Sequence, residues 1–137
     1  MIPDDYIDIT SEKIRIYKQL DSLGSEKEIE RLHSQIRDRF GEIPPETDNL
    51  FMVVRIRNLG ASLGFEKIII KNGMFILFFI GNPMSPYYKS DVFVSVMQKI
   101  GDHPGIFSLK QVDSKLKIVA RGIDSLEKAY QVLTILG

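Results

Sequence analysis

Histidine, serine and acidic side chains are the groups in this chain that could act in catalysis or bind a metal ion. The two histidines are His33 and His103. A metal site would need at least one further strong ligand at helical or loop spacing from either imidazole. His33 falls within a helical pattern, and His103 falls within Asp-His-Pro-Gly, which turn formation alone explains. We interpret both as structural, and a Ser-His-Asp centre is disfavoured because no nucleophile elbow is predicted.

Paired carboxylates could serve as general acid and base or hold a divalent cation, and they occur in two places. Asp4 and Asp5 lie in an extended N-terminal stretch, whereas Glu26, Glu28 and Glu30 follow the predicted start of a helix. Acidic residues near a helix N-terminus interact favourably with the helix dipole. We therefore interpret both groups as structural rather than as catalytic or metal-binding pairs.

Phosphate-binding loops are not found in the sequence, which contains neither GxxxxGK nor GxGxxG. Such loops need glycines at fixed spacing, because backbone N–H groups must approach the anion closely. We expect this chain to be non-enzymatic, to have no cofactor of its own, and not to bind or hydrolyse ATP by itself.

Composition is typical of a soluble globular protein, with 26% charged and 44% apolar residues. There is no cysteine, which excludes disulfides and thiolate metal sites. The longest apolar run, Met74 to Ile80, is far too short to span a bilayer. The net charge is zero, with −3 in residues 1–64 (9 basic, 12 acidic) and +3 in residues 65–137 (9 basic, 6 acidic). This balance does not resemble the strongly basic surface of a dedicated nucleic-acid-binding protein.

Three helices are predicted in the first half of the chain. Their expected extents are Thr10 or Ser11 to Leu23, Ser25 to Phe40, and about Glu46 to Leu63. Ser25 and Glu28 form a predicted capping box, and Ile29, Leu32, Ile36 and Phe40 form the expected buried stripe of the second helix.

Two hairpins separated by a helix are predicted in the second half. The first pairs Phe65–Lys71 with Met74–Ile80 across Asn72-Gly73, and the second pairs Gly105–Val112 with Lys115–Arg121. A helix over Lys89–Ile100, with Val92 among its inward residues, separates them, and Asp124 caps a last helix. Met74–Ile80 is apolar on both faces, which predicts a central, covered strand. The fold class is therefore α+β: N-terminal helices, then a mainly antiparallel sheet of two hairpins with interleaved and C-terminal helices. We expect a single domain over 1–137, helical to about residue 64.

Basic residues cluster on the second predicted hairpin. Alternation places Lys115, Lys117 and Arg121 on one strand face, with Lys110 opposite. The simplest interpretation is a solvated sheet face, and the alternative is a weak nucleic-acid-binding module that contacts phosphates. The hairpin lacks interleaved aromatic residues for base stacking, so single-strand binding is not favoured.

A rigid, charged corner is predicted at the end of the second helix. Gly41 can end the helix in a left-handed conformation, and the prolines at 44 and 45 prevent its continuation. The charged pair Asp38–Arg39 precedes Phe40, which gives an amphipathic corner suited to docking. On residue types alone, the simpler interpretation is that Phe40 ends the core stripe and that the charged pair is exposed and of little energetic weight.

The sequence also resembles a known family. Asp38-Arg39-Phe40-Gly41 followed by Pro44 resembles the signature of the C-terminal domain of the bacterial transcription-repair coupling factors (Mfd). Ile2-Pro3-Asp4-Asp5-Tyr6-Ile7 resembles the entry of that domain, and residues 15–20 resemble its first helix. The resemblance is dense from residue 2 to about residue 70 and weaker, but in the same order, to the end.

The resemblance implies a regulatory, non-catalytic domain in a cytoplasmic bacterial DNA-repair translocase. In that family the domain docks on the UvrB-like N-terminal module of the same protein, masks the UvrA-binding surface and restrains the motor modules, which use ATP and Mg²⁺. RNA polymerase and double-stranded DNA are indirect partners, and no membrane is involved. The docking residues it implies are Gln35, Asp38, Arg39, Phe40 and Glu42. Gln35 stands where the family has a glutamate, which removes one negative charge from the expected contact.

Overall fold

The computed structural model describes residues 24–137, so the helix predicted from Thr10 or Ser11 to Leu23 lies outside the described residues. Residues 24–137 contain four α-helices and a four-stranded antiparallel sheet, which confirms the predicted α+β class. The helices are α1 (Glu26–Phe40), α2 (Pro45–Ser62), α3 (Asp91–Asp102) and α4 (Leu126–Leu136). The strands are β1 (Phe65–Lys71), β2 (Met74–Phe79), β3 (Phe107–Val112) and β4 (Lys115–Arg121). None of these helices is long and apolar enough to cross a membrane.

The chain divides into two compact units, residues 1–58 and residues 59–137. The division falls within α2, slightly before the soft boundary expected near Gly64. The single domain over 1–137 stays a prediction, and each unit is described by itself below.

Helix α1 begins at a serine cap and ends at a glycine. The Ser25 Oγ accepts a hydrogen bond from the Glu28 N–H at 3.2 Å and donates one to Glu28 Oε1 at 3.2 Å. The predicted capping pair therefore forms, although the carboxylate bonds the serine hydroxyl where the usual capping box uses the backbone N–H. Gly41 follows the helix with φ 92° and ψ −157°, and its N–H donates to the Arg37 carbonyl at 2.9 Å. Glycine is the residue that adopts this backbone region without strain.

In the first unit, α1 and the start of α2 form an antiparallel helical hairpin. Arg55 Nε donates to Glu26 Oε1 at 2.7 Å near the open end, and His33 Nε2 lies 2.8 Å from Asp48 Oδ1 closer to the tip. The His33 ring also meets the Phe51 ring edge-on, at 4.9 Å between centroids. Apolar residues of both helices and of their connection form a common core: Ile29, Leu32, Ile36, Ile43, Phe51 and Val54.

In the second unit, the two predicted hairpins join through their inner strands in the order β1-β2-β4-β3. Asn72 and Gly73 have φ values of 53° and 75°, as a tight hairpin turn of the predicted type requires. The first hairpin carries a bulge at Glu66, whose carboxylate accepts a hydrogen bond from the Gly81 N–H at 2.9 Å. Strand β2 pairs with β1 and β4, so its predicted central position is confirmed.

One face of the sheet forms the core of the second unit. Helix α3 packs there, and its Phe93 ring lies 5.6 Å from the Phe79 ring. The buried side chains of this sheet face are Phe65, Phe75, Leu77, Phe79, Phe107, Ile118 and Ala120. The opposite face is only half-covered at Ile76 and Phe78, so the expectation of a strand covered on both faces is wrong for that face.

Three further details differ from the sequence expectations. Ser125, not Asp124, caps α4, because its side chain accepts a hydrogen bond from the Lys128 N–H at 3.1 Å. Val92 is 41% exposed in the first turn of α3, although it was expected to face inward. A short 3₁₀ helix, Pro86–Lys89, precedes α3 and shifts the true helix start to Asp91, which the apolar pattern alone did not predict.

Two tyrosines of the 3₁₀ helix fasten it to the rest of the second unit. The Tyr87 hydroxyl donates to the Leu63 carbonyl at 2.5 Å, and the Tyr88 hydroxyl donates to the Ile80 carbonyl. Burial, with a smaller contribution from Tyr88, raises the pKa of Tyr87 to about 12. Burial, with a smaller contribution from the Glu66 carboxylate, also raises the pKa of Tyr88. Both phenols therefore act as neutral hydrogen-bond donors at physiological pH.

Candidate functional site

The corner predicted from the sequence lies at the tip of the helical hairpin in the first unit. Gln35, Asp38, Arg39 and Glu42 are exposed, and Phe40 is half-buried against the core of that unit. Residues 35, 38 and 39 lie three and four positions apart and so share one side of α1. The corner therefore presents polar and charged groups on a helix whose other side is held by the core.

An aromatic and a cation are stacked at this corner. The guanidinium carbon of Arg39 lies 5.1 Å from the centroid of the Phe40 ring, within the range of a cation–π interaction. The ring also packs on the core, so Phe40 both ends the buried stripe and supports the charged surface. The two interpretations of Phe40 from its sequence are therefore compatible.

A second candidate surface is the sheet face that the core does not use. The register aligns Lys67, Phe78, Lys117 and Lys110 in one row across all four strands, in the order β1, β2, β4, β3. A parallel row contains Lys71, Met74 and Arg121, and Lys115 follows on the same face of β4. Between these rows lies a row of mostly apolar residues: Ile69, Ile76, Val119 and Ser108. We call this surface the basic sheet face.

Lysine ammonium groups lie on both sides of the aromatic ring in this face. Lys67 Nζ is 5.4 Å and Lys117 Nζ is 5.6 Å from the centroid of the Phe78 ring. Within its own hairpin the basic cluster has no aromatic residue, because Phe78 belongs to the neighbouring strand of the other hairpin. No local signal in the sequence could have found it, because Met74–Phe79 is apolar throughout and the pairing of β2 with β4 joins two separate hairpins.

The part of the chain that contains the corner matches a known protein family. The family model of the TRCF domain matches residues 1–90, which include the corner, both helices of the hairpin and the first β-hairpin. The chain belongs to the TRCF domain family. The family resemblance is thereby confirmed, and the corner lies inside the matched segment.

Relatives of this TRCF domain are transcription-repair-coupling factors. It is 33% identical over 81 residues to the protein of Rickettsia prowazekii, covering 59% of this chain and 7% of that protein. The match to the Rickettsia bellii protein is 25% identical over 134 residues, covering 96% of this chain and 11% of that protein. The match to the Escherichia coli protein is 31% identical over 68 residues, covering 50% and 6%. The chain thus spans about a tenth of the length of these curated relatives or less.

The fold of this TRCF domain is also found in a solved structure. The crystal structure of the C-terminal domain of a transcription-repair coupling factor superposes with a TM-score of 0.81. The match covers 99% of this chain and 83% of that chain at 17% sequence identity. At this identity, the comparison shows that the fold is shared.

The residues first considered for chemistry have structural contacts in this TRCF domain. His33 bonds Asp48, and His103 Nδ1 lies 2.9 Å from the Lys99 carbonyl at the end of α3. No group of three His, Asp or Glu side chains in residues 24–137 is arranged to hold a metal ion. Asp4 and Asp5 lie outside the described residues.

Residues 60–64 have the Gly-x-Ser-x-Gly pattern of a nucleophile elbow, but the structure gives them another role. A nucleophile elbow carries its serine between a strand and a following helix. Ser62 instead ends α2 and precedes a strand, and its Oγ donates to the Leu59 carbonyl at 2.7 Å. The order of elements is therefore reversed, and the hydroxyl satisfies a helix-end carbonyl.

Proposed function

We propose that this TRCF domain is a non-catalytic autoinhibitory module of a transcription-repair coupling factor. It docks through the corner formed by Gln35, Asp38, Arg39, Phe40 and Glu42 on the UvrB-like module of the same protein. Docking masks the UvrA-binding surface and restrains the ATP- and Mg²⁺-dependent motor modules until RNA polymerase and DNA are engaged. The observation that carries the proposal is the position of the Asp38-Arg39-Phe40-Gly41 motif at the tip of a braced helical hairpin, where all of it but Phe40 is exposed.

The construction of the hairpin favours docking because the corner is held in place before a partner arrives. The Glu26–Arg55 and His33–Asp48 contacts join the two helices at two levels. Gly41 directs the chain out of α1 through a backbone conformation that few other residues adopt. A preorganised surface loses less conformational entropy on binding than a flexible one.

The charges at the corner suit a basic partner surface. Asp38 and Glu42 are exposed carboxylates that make no hydrogen bond or ion pair within residues 24–137. Exposed charges contribute to the orientation of the partners and to the association rate more than to affinity, and salt screens their interactions. With Gln35 in place of a glutamate, the contact has one charge-assisted bond fewer. We expect modest affinity, which suffices because covalent connection raises the effective concentration of the partner.

A titration of the chain against the separately expressed UvrB-like module tests the proposal. The test variant is Asp38→Ala/Arg39→Ala, which leaves the net charge unchanged. The matched control is Glu30→Ala/Arg31→Ala, an adjacent exposed acid–base pair on the same helix but away from the tip. We expect salt-sensitive binding that the corner variant weakens about tenfold and that the control leaves unchanged.

Equal affinity of the corner variant and the wild type would refute docking through this corner. Equal weakening by both variants would show that the whole helix, not its tip, makes the contact. If the domain and the UvrB-like module bind each other only when they are joined in one polypeptide, capture of UvrA by the joined protein tests the docking. In the joined protein, the corner variant should bind UvrA more strongly than the control variant does.

A further inference from the structure

The basic sheet face has a charge distribution that its sequence position does not reveal. Residues 65–137 contain nine Lys and Arg residues, and six of them lie on this one face: Lys67, Lys71, Lys110, Lys115, Lys117 and Arg121. No acidic residue occupies a paired position on that face. Glu66 is the bulge residue and bonds Gly81, and Asp113 lies in the turn beyond β3. The charged residues paired on this face are therefore all cationic, although the chain as a whole has a net charge of zero.

The basic residues of the face are available to a ligand. Lys67, Lys71, Lys110, Lys115 and Arg121 are exposed, and Lys117 is half-buried. Rows two residues apart along a strand are separated by about 7 Å, so the two basic rows lie about 14 Å apart. The apolar row between them gives the centre of the face a non-polar floor.

We propose that the basic sheet face binds single-stranded nucleic acid, with one base stacked on Phe78 and phosphates held by the surrounding lysines. Phe78 is half-buried, so its ring is supported by the sheet while part of it faces outward. The ammonium groups of Lys67 and Lys117, which now lie against the ring, end flexible four-carbon stems. They can move to neighbouring phosphates when a base covers the ring.

The ring favours a single strand over a duplex. In a double helix the bases are stacked on one another and the protein meets mainly phosphates and groove edges. An aromatic side chain on an inner strand of an open sheet face can instead accept an unstacked base. This surface lies on the second unit and uses none of the residues of the docking corner, so the inference goes beyond the proposed function.

Fluorescence anisotropy with a labelled oligothymidylate, over a series of salt concentrations, tests the inference on the full chain. The charge variant is Lys67→Gln/Lys117→Gln, and its matched control is Lys89→Gln/Lys128→Gln, two exposed lysines outside the face. Each lost phosphate contact reduces the slope of log affinity against log salt by about 0.7 for a single strand. We expect the charge variant to reduce the slope by about 1.4 and the control to leave it unchanged.

The ring variant separates stacking from charge. Phe78→Leu keeps an apolar side chain on the sheet but should weaken binding about tenfold with an unchanged salt slope. Phe78→Tyr keeps the ring and should bind as the wild type does. Thermal unfolding of each variant checks that the sheet is intact, and the tyrosine and glutamine variants preserve the test if the leucine variant does not fold.

Three results would overturn the inference. One is no binding at the lowest salt concentration. Another is an equal affinity for a duplex of the same length together with no effect of Phe78→Leu, which would indicate a general attraction to polyanions. The third is a loss of binding in the Lys89/Lys128 control equal to the loss in the Lys67/Lys117 variant.

Discussion

The ring of Tyr87 covers Gly64 so closely that its Cε1 atom lies 2.1 Å from the point a Cβ atom on Gly64 would occupy. The Tyr87 hydroxyl reaches past the glycine to the carbonyl of Leu63. The 3₁₀ helix is thereby fixed to the turn that leads from α2 into β1. Two residues that are far apart in sequence thus depend on each other's size.

Gly64→Ala should destabilise the second unit by more than about 2 kcal/mol. The new methyl group would overlap the Tyr87 ring, and φ at this position is +95°, which side chains other than glycine rarely adopt. Urea unfolding measures the change in free energy. Gly122→Ala is the matched control, since Gly122 has φ +73° and no atom within 4 Å of the Cβ position. A similar loss in both variants would mean that the ring simply moves aside.

Alkaline pH should weaken the second unit through Tyr87. An unfolded tyrosine loses its proton near pH 10, whereas burial raises the pKa of Tyr87 in the folded state to about 12. The stabilising contribution is complete below pH 10 and is lost as pH rises toward 12, because only the unfolded state has released the proton there. Tyr87→Phe should unfold with a shallower dependence on pH over this range.

The same substitution should cost about 1 kcal/mol at neutral pH, because the Leu63 carbonyl loses its donor. Urea midpoints for the wild type and Tyr87→Phe across the alkaline range separate the two effects. Parallel pH profiles would show that Tyr87 does not govern alkaline unfolding.

Ser125→Ala should lower the free energy of unfolding by about 1 kcal/mol, because the side chain caps α4 through the Lys128 N–H. Asp124→Ala should cost less, since Asp124 precedes the capping position and is exposed. Thermal unfolding of the two variants distinguishes the observed cap from the one expected from sequence. A larger loss at Asp124 would reverse the assignment.

Gly41→Ala should destabilise the helical hairpin by about 1–2 kcal/mol, because φ is +92° and the Cβ position is otherwise open. Hydrogen exchange of α1 measures the local effect. Gly24→Ala provides the comparison, since that glycine has the same open surroundings and no positive φ. If docking depends on the corner geometry, Gly41→Ala should also weaken binding to the UvrB-like module, and Gly24→Ala should not.

Local signals in the sequence predicted most of the elements. Ser25 with Glu28, Gly41, and Asn72 with Gly73 act over a few residues, and each marks the boundary that the structure has. The cap of α4 was predicted one residue early because Asp124 and Ser125 are both good caps, and only backbone geometry selects between them. Val92 was expected inside because helical spacing predicts which side of a helix is apolar. Spacing does not predict how much of that side the rest of the protein covers.

The candidate surfaces were predictable to different degrees. The corner is formed by consecutive residues, so its position at a helix end follows from sequence. The basic sheet face depends on strand order, because Lys67 and Phe78 join Lys117 and Lys110 only after β2 pairs with β4. Hairpin pairing can be read from a turn, but the pairing of one hairpin with another leaves no short-range pattern.

That central pairing also determines how the second unit can fold. Each hairpin closes across a two-residue turn, whereas Arg121 and Met74, partners in the central pair, are 47 residues apart. Closing so long a loop has a large entropy cost before any contact compensates it, and folding rates fall as contacts become less local. We expect the β2–β4 association to be the slow step, with both hairpins present beforehand as unstable, fluctuating species. Substitutions at this seam should slow folding, whereas those in the two turns should change mainly the stability of the early hairpins.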